Sequence, residues 1–309
     1  MNTTTTEALS DAALADSLEG EFVSRYADVN GTRLHYVEGG IGRPLLLLGG
    51  WPQTWWQWHK VMPALAERYR VIAVDLRGMG GSGKPSDGYD KKTMAGDILE
   101  LVEQLGLESV SIAGHDIGAM VAYSYAANYP EATDKISLLD VPHPDGGWSD
   151  FGLLPEPDQH ADSVIESGAR SYLWWFAFNQ VAELPELLLE GRIRLLVDWL
   201  FGRQAADPGS IDEFSRCVYA EAYSTPDAIR AGNAWYRTFN QDILDERAYG
   251  KVAAPILALG GDRSNYEYLR NLMPAKGSDV RVVEVAECGH YIPEEQPQAV
   301  VDALVGFLG

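Results

Sequence analysis

Eight short apolar runs punctuate the chain: "EFVSRYADV" (21–29), "TRLHYVEGG" (32–40), "PLLLLGG" (44–50), "RVIAVDL" (70–76), "SVSIAGH" (109–115), "KISLLDV" (135–141), "PILALGG" (255–261) and "VRVVEVAECGH" (280–290). Runs of this length, bounded by Gly, Pro or Asp, suit the strands of a mostly parallel sheet covered on both faces. The first two flank Asn30-Gly31, a turn dipeptide that predicts an antiparallel hairpin at one edge. Between later runs the period changes to that of a helix. In "TMAGDILELVEQLG" (93–106), Ile98, Leu101, Val102 and Leu105 fall on one stripe. The pattern is βαβ winding, an α/β fold with an eight-stranded sheet.

That alternation stops between about 147 and 245. No strand-like run appears there, and Trp, Phe and Leu recur at helical spacing in "SYLWWFAFNQV", "LPELLLEGRIRLLVDWLFG", "SIDEFSRCVYAEAYS" and "TPDAIRAGNAWYRTFN". The expected organisation is an N-terminal extension (1–20), a core made of 21–147 and 246–309, and an inserted helical cap (148–245). Ligands of α/β sheets bind beyond the carboxyl ends of the strands, where such a cap would close over them.

Composition narrows the ligand. The 309 residues hold 24 Lys+Arg against 45 Asp+Glu, a formal charge of −21, which repels nucleic acid and anionic membranes and favours a small uncharged ligand. The two cysteines, Cys217 and Cys288, are too few for a disulfide framework and suit a reducing compartment. The N-terminus lacks the basic and apolar regions of a signal peptide, and no apolar run reaches membrane-spanning length. The expectation is a cytoplasmic protein with its first fifteen or so residues frayed or forming a short surface helix, and with a homodimer left open.

The candidate chemistry begins at Gly114-His-Asp-Ile-Gly118. The flanking glycines are those of a nucleophile elbow, Gly-x-Ser-x-Gly, but the central residue is the carboxylate Asp116. Five further segments accompany it in order: "GGWP" (49–52), "DLRGMGGSGKP" (75–85), "LLDVPHP" (138–144), "STPDAIRAGNAWYR" (224–237) and "CGHYIPEEQP" (288–297). Together they resemble the α/β-hydrolase superfamily, specifically its aspartate-nucleophile branch of epoxide hydrolases and dehalogenases. The resemblance covers nearly the whole chain and implies an α/β-hydrolase fold.

A carboxylate with an ordinary pKa near 3.9 needs no base to become a nucleophile. Its attack on an ester or amide would give a labile anhydride, whereas attack on a saturated carbon gives an alkyl ester that water can cleave. The substrate is therefore expected to carry an epoxide or a carbon–halogen bond. The resemblance assigns His290 to activate water for the second step. The imidazole needs an acid partner, for which Asp140 is favoured and Asp262 is the alternative, since the usual position after the later strand is Ser264 here. Backbone N–H groups of Ile117 and Trp51 are the expected oxyanion hole. The family usually reads His-Gly-x-Pro where this chain has Gly49-Gly-Trp-Pro52, so the loop lacks an imidazole.

The leaving group separates the two substrate classes. An epoxide oxygen needs a proton donor, commonly two cap tyrosines; Tyr236 matches the second and Trp175 stands at the first, where an indole can donate a hydrogen bond but no proton. Ile117 follows the nucleophile where haloalkane dehalogenases have tryptophan, and no arginine follows as in haloacetate dehalogenases. The expected substrate is thus a small hydrophobic epoxide. The alternatives are a dehalogenase and a non-catalytic or non-hydrolytic binding member of the fold. Met79 and Tyr172 are further candidates to face the cavity. No cofactor is implied: "DLRGMGGSG" lacks the Lys-Ser/Thr of a phosphate loop, and His35, His59, His143 and His160 have no partner at metal-ligand spacing.

Overall fold

The computed structural model describes residues 8–151 and 173–309. The strands are β1 (Phe22–Val29), β2 (Thr32–Gly39), β3 (Arg43–Leu48), β4 (Tyr69–Asp75), β5 (Val110–His115), β6 (Thr133–Leu139), β7 (Ile256–Gly261) and β8 (Val280–Val285). They form one sheet in the order β1-β2-β4-β3-β5-β6-β7-β8. β1–β2 and β2–β4 are antiparallel and every other pairing is parallel. The edge hairpin pairs Val29 with Thr32 across Asn30-Gly31, whose φ values of 42° and 75° are those of a primed turn. Central strands read as continuous apolar sequence because both faces are covered: Leu45, Leu46, Leu47 and Leu48 of β3 are all buried.

After β3 the chain crosses to β4 on one side, and it then returns to place β5 on the other side. β3 and β5 therefore flank the topological switch point, the crevice where open α/β sheets bind ligands. The loop after β3 carries Trp51 and the turn after β5 carries Asp116, so the topology alone brings these two segments together.

The core helices are α1 (Asp11–Asp16), α2 (Met62–Ala66), α3 (Lys91–Gln104) and α4 (Ile117–Asn128). The insertion between β6 and β7 holds α5 (Trp174–Gln180), α6 (Leu184–Leu189), α7 (Ile193–Gln204), α8 (Glu213–Ala222), α9 (Pro226–Arg237) and α10 (Phe239–Glu246). After β7 come α11 (Tyr266–Leu272), α12 (Ile292–Glu295) and α13 (Pro297–Leu308). No helix among the described residues is long and apolar enough to cross a membrane.

One expectation needs correction. The N-terminal helix does more than lie on the surface: α1 buries Leu14 and Ala15, and its Asp11 accepts a 2.8 Å hydrogen bond from the Trp55 indole. The run 184–202, with its apolar residues at helical spacing, forms two helices parted at Gly191, whose φ of 67° a helix cannot accommodate.

Candidate active site

Asp116 sits between β5 and α4 at φ 53°, ψ −122°, a conformation that L-residues rarely adopt. The turn is tight enough that its flanking residues must lack side chains. A Cβ on Gly114 would lie 2.2 Å from the Gly118 carbonyl oxygen, and one on Gly118 would lie 2.2 Å from that of Leu48. The result is a carboxylate held up at the head of α4. Its Oδ1 accepts the Trp51 N–H at 2.9 Å, and the Ile117 N–H also stabilises it. Burial raises the Asp116 pKa above the usual carboxylate value, opposed by His290 and by these two amides.

His290 lies in the loop after β8, with Nε2 3.7 Å from Asp116 Oδ2 and Nδ1 2.7 Å from Asp140 Oδ2. Burial alone would lower its pKa; the Asp140 hydrogen bond and charge, then Asp116, outweigh burial and raise it. Asp140 follows β6 at φ 65° and is saturated with donors. It accepts from Ser264 Oγ (2.6 Å), Asn265 Nδ2 (3.2 Å) and the backbone N–H groups of Gly261 (3.2 Å) and Asn265 (3.3 Å). Ser264, at the alternative acid position, thus serves as a donor to Asp140. Asp262 is exposed and instead accepts from the Cys288 N–H at 2.9 Å, away from the imidazole.

Three supporting residues escape sequence reasoning because their partners are remote in the chain. His115 donates from Nε2 to the His290 carbonyl at 2.8 Å, with its ring 4.7 Å from that of His290, and burial holds its pKa well below the ordinary value. Glu295 accepts from the N–H groups of Gly289 (3.0 Å), Tyr291 (2.9 Å), Ala206 (2.6 Å) and Asp207 (3.4 Å), pinning the His290 loop to the end of α7. Gln57, fully buried, accepts the Gly50 N–H at 3.0 Å through Oε1. A Cβ on Gly49 would lie 3.3 Å from that same oxygen, so the glutamine braces the loop whose usual imidazole is missing. The loop contains a cis Trp51–Pro52 bond.

From the insertion, α9 brings in Tyr236 and α5 brings in Trp175, both buried. The Tyr236 ring lies edge-on to Trp51 at 5.4 Å. Burial, then the Asp116 charge, keep its hydroxyl protonated far above the usual phenol range, with the Trp175 side chain opposing the rise. Phe176 packs on Tyr236 at 5.4 Å, while Trp174 stacks edge-on with Trp199 at 5.2 Å, so the aromatic excess of this region is chiefly packing. Met79 is buried; Tyr172 and His160 fall outside the described residues.

The reading of His35 as unpartnered is corrected by the fold. Asp11, His35 and Asp75 come together, with potential ligand atoms within 4.8 Å of one another. Their hydrogen bonds are already committed: His35 Nδ1 to Asp75 (2.8 Å), Ser24 Oγ to His35 Nε2 (3.0 Å), and Gly81 N–H to Asp75 (3.0 Å). This cluster clasps α1 to the core. Cys288 is a buried thiol whose pKa burial pushes far up, so proximity to His290 does not make it a nucleophile.

Residues 43–297 match the family model described as alpha/beta hydrolase fold. A soluble epoxide hydrolase from Corynebacterium sp. (strain C12) is 36% identical over 299 residues, covering 93% of this chain and 97% of that protein. A fluoroacetate dehalogenase from Burkholderia sp. is 31% identical over 299 residues, covering 93% and 94%. Among solved structures, the epoxide hydrolase CorEH without ligand aligns with a TM-score of 0.81 at 33% identity, covering 93% of this chain and 99% of that one.

Proposed function

The chain belongs to the α/β-hydrolase family, and from that premise we propose that it hydrolyses epoxides to vicinal diols. The observation that carries this reading is the Asp116 carboxylate on its strained turn, with the His290–Asp140 pair on one side. A buried, protonated Tyr236 hydroxyl within reach of its charge adds the acid that epoxide opening needs. Asp116 attacks an epoxide carbon, the carbon–oxygen bond breaks, and the departing oxygen takes a proton from Tyr236. The product is a hydroxyalkyl ester of Asp116.

In the second step His290 takes a proton from water, and the resulting hydroxide attacks the ester carbonyl carbon. The oxyanion forms beside the Trp51 and Ile117 amides, the same donors that hold the resting carboxylate. Collapse expels the alkoxide, which takes the proton of the newly formed Asp116 carboxyl and leaves as the diol; the imidazolium proton restores the Tyr236 hydroxyl, and Asp140 stabilises the charge on His290 meanwhile. Residues 148–245 form the cap that encloses the substrate, and the protein works in the cytoplasm.

A second reading, dehalogenation, is favoured by the 31% identity to a fluoroacetate dehalogenase. Against it, Ile117, Gly118, Ala119 and Met120 offer no cation for a haloacetate carboxylate. Incubation with styrene oxide, chloroacetate and a chloroalkane separates the readings. Diol without halide is the expected result. Halide without diol would replace epoxide hydrolysis by dehalogenation, and neither product would leave a binding role.

A further inference from the structure

Four buried phenols gather near the site, and two are committed. Tyr219 donates to Glu294, and Tyr223 donates to the Gln53 carbonyl at 2.9 Å. The third, Tyr236, lies edge-on to Trp51 at 5.4 Å. The fourth, Tyr291, follows His290 directly; it is 0% exposed and its hydroxyl has no hydrogen-bond partner among the described residues. Its ring is held by His290 (4.9 Å, edge-on), Phe201 (4.7 Å, edge-on) and His115 (6.3 Å). A buried hydroxyl without a partner destabilises the fold, so its persistence calls for an occupant that pairs with it.

The position of Trp175 sharpens the question. An indole N–H can donate a hydrogen bond but can deliver no proton, so Trp175 does not supply a second phenol beside Tyr236. A second hydroxyl donor to an opening epoxide must come from elsewhere. We propose that Tyr291 is a catalytic residue whose hydroxyl donates the second hydrogen bond to the epoxide oxygen, completing with Tyr236 the pair that Trp175 leaves incomplete. This rests on the epoxide reading of the site.

The charges around Tyr291 agree. After burial, Asp116 has the largest effect in keeping its hydroxyl protonated, followed by Glu295, with Asp140 contributing less and Arg216 opposing. Tyr236 in turn feels Asp116 first and Tyr291 second. Geometry puts both beside the nucleophile's own partners: the Tyr291 ring lies against His290, whose Nε2 is 3.7 Å from Asp116, and the Tyr236 ring lies against Trp51, whose N–H binds Asp116. In the reaction the epoxide carbon–oxygen bond breaks as the Asp116 ester bond forms; Tyr236 transfers its proton to the oxygen and Tyr291 keeps its own while hydrogen-bonding that oxygen.

The test is Tyr291→Phe, which removes only the hydroxyl. Under single turnover with styrene oxide, alkylation of Asp116 should slow roughly 10- to 100-fold, the loss of one hydrogen bond to a developing charge. Hydrolysis of the ester should be unchanged, and the thermal midpoint should hold or rise because an unpaired buried hydroxyl is gone. The double variant Tyr236→Phe/Tyr291→Phe should alkylate more slowly than either single variant. Unchanged alkylation in Tyr291→Phe, with the wild type still forming the ester, would overturn the role of Tyr291 and leave the epoxide reading intact. So would equal slowing of both steps with a lowered midpoint, which marks packing. A wild type that forms no ester with any epoxide would defeat both.

Discussion

The charge on Asp116 changes during the proposed cycle, and His290 feels the change. In the resting protein the imidazole is flanked by two carboxylates, Asp140 at 2.7 Å and Asp116 at 3.7 Å, and both raise its pKa against burial. Once Asp116 is an ester, one of these charges disappears. The base that activates water must be neutral, so ester hydrolysis should accelerate as pH rises through the His290 pKa and then level off. Its midpoint should lie at lower pH than the His290 titration of the resting protein, because the Asp116 contribution is missing. Rapid-quench hydrolysis across pH, set beside an NMR titration of His290, measures the difference. A midpoint at or above the resting value would contradict the assigned neighbours. Asp116 and His290 stand out in the sequence because each lies beside motif glycines, and Asp140 because it ends a strand run. Tyr291 lies in one of those motifs too, but its open hydroxyl is visible only once the side chains around it are placed.

At the scale of elements, the strand pattern was readable to within a residue or two except at the last run, which extends five residues past the end of β8, and the hairpin at Asn30-Gly31 was readable too. The parallel order was readable only as a class, because which strand neighbours which is decided by crossover packing and leaves no local mark. The braces of the site were hidden for the same reason. Gln57 reads as one polar residue in a tryptophan-rich stretch, and Glu295 as one of two acids in "PEEQP". Yet Glu295 satisfies backbone N–H groups from both sides of the His290 loop and from the end of α7. Glu295→Ala would leave those donors unpaired, at about 1–3 kcal/mol for a buried group. The urea midpoint should fall by the equivalent of at least ~2 kcal/mol, and Glu295→Gln, which keeps one acceptor, should lose less. A change below ~0.5 kcal/mol in the alanine variant would show that the carboxylate does not hold the loop.

Across the whole molecule, the insertion and the sheet are tied together above the switch point. Lys91 at the start of α3 donates from Nζ to the Trp235 carbonyl (2.8 Å), Thr238 Oγ1 (3.2 Å) and Asp242 Oδ2 (2.7 Å), joining the core to α9 and α10. The Trp235 indole donates to the Arg77 carbonyl at 2.9 Å, and Tyr223 to the Gln53 carbonyl. These links hold α9, and with it Tyr236 against Trp51, over the loop whose N–H binds Asp116, and the carboxylate is buried from bulk water, so charges around it act more strongly. A net charge of −21 leaves a neutral epoxide free to approach. The central claim is that Asp116 becomes alkylated and that His290 is needed only to release it. His290→Gln should therefore trap the intermediate. Intact-mass measurement after incubation with styrene oxide should show the protein heavier by one substrate mass, with the addition mapped to the peptide that carries Asp116. An unmodified His290→Gln protein, alongside a wild type that converts the same epoxide to diol, would contradict the account.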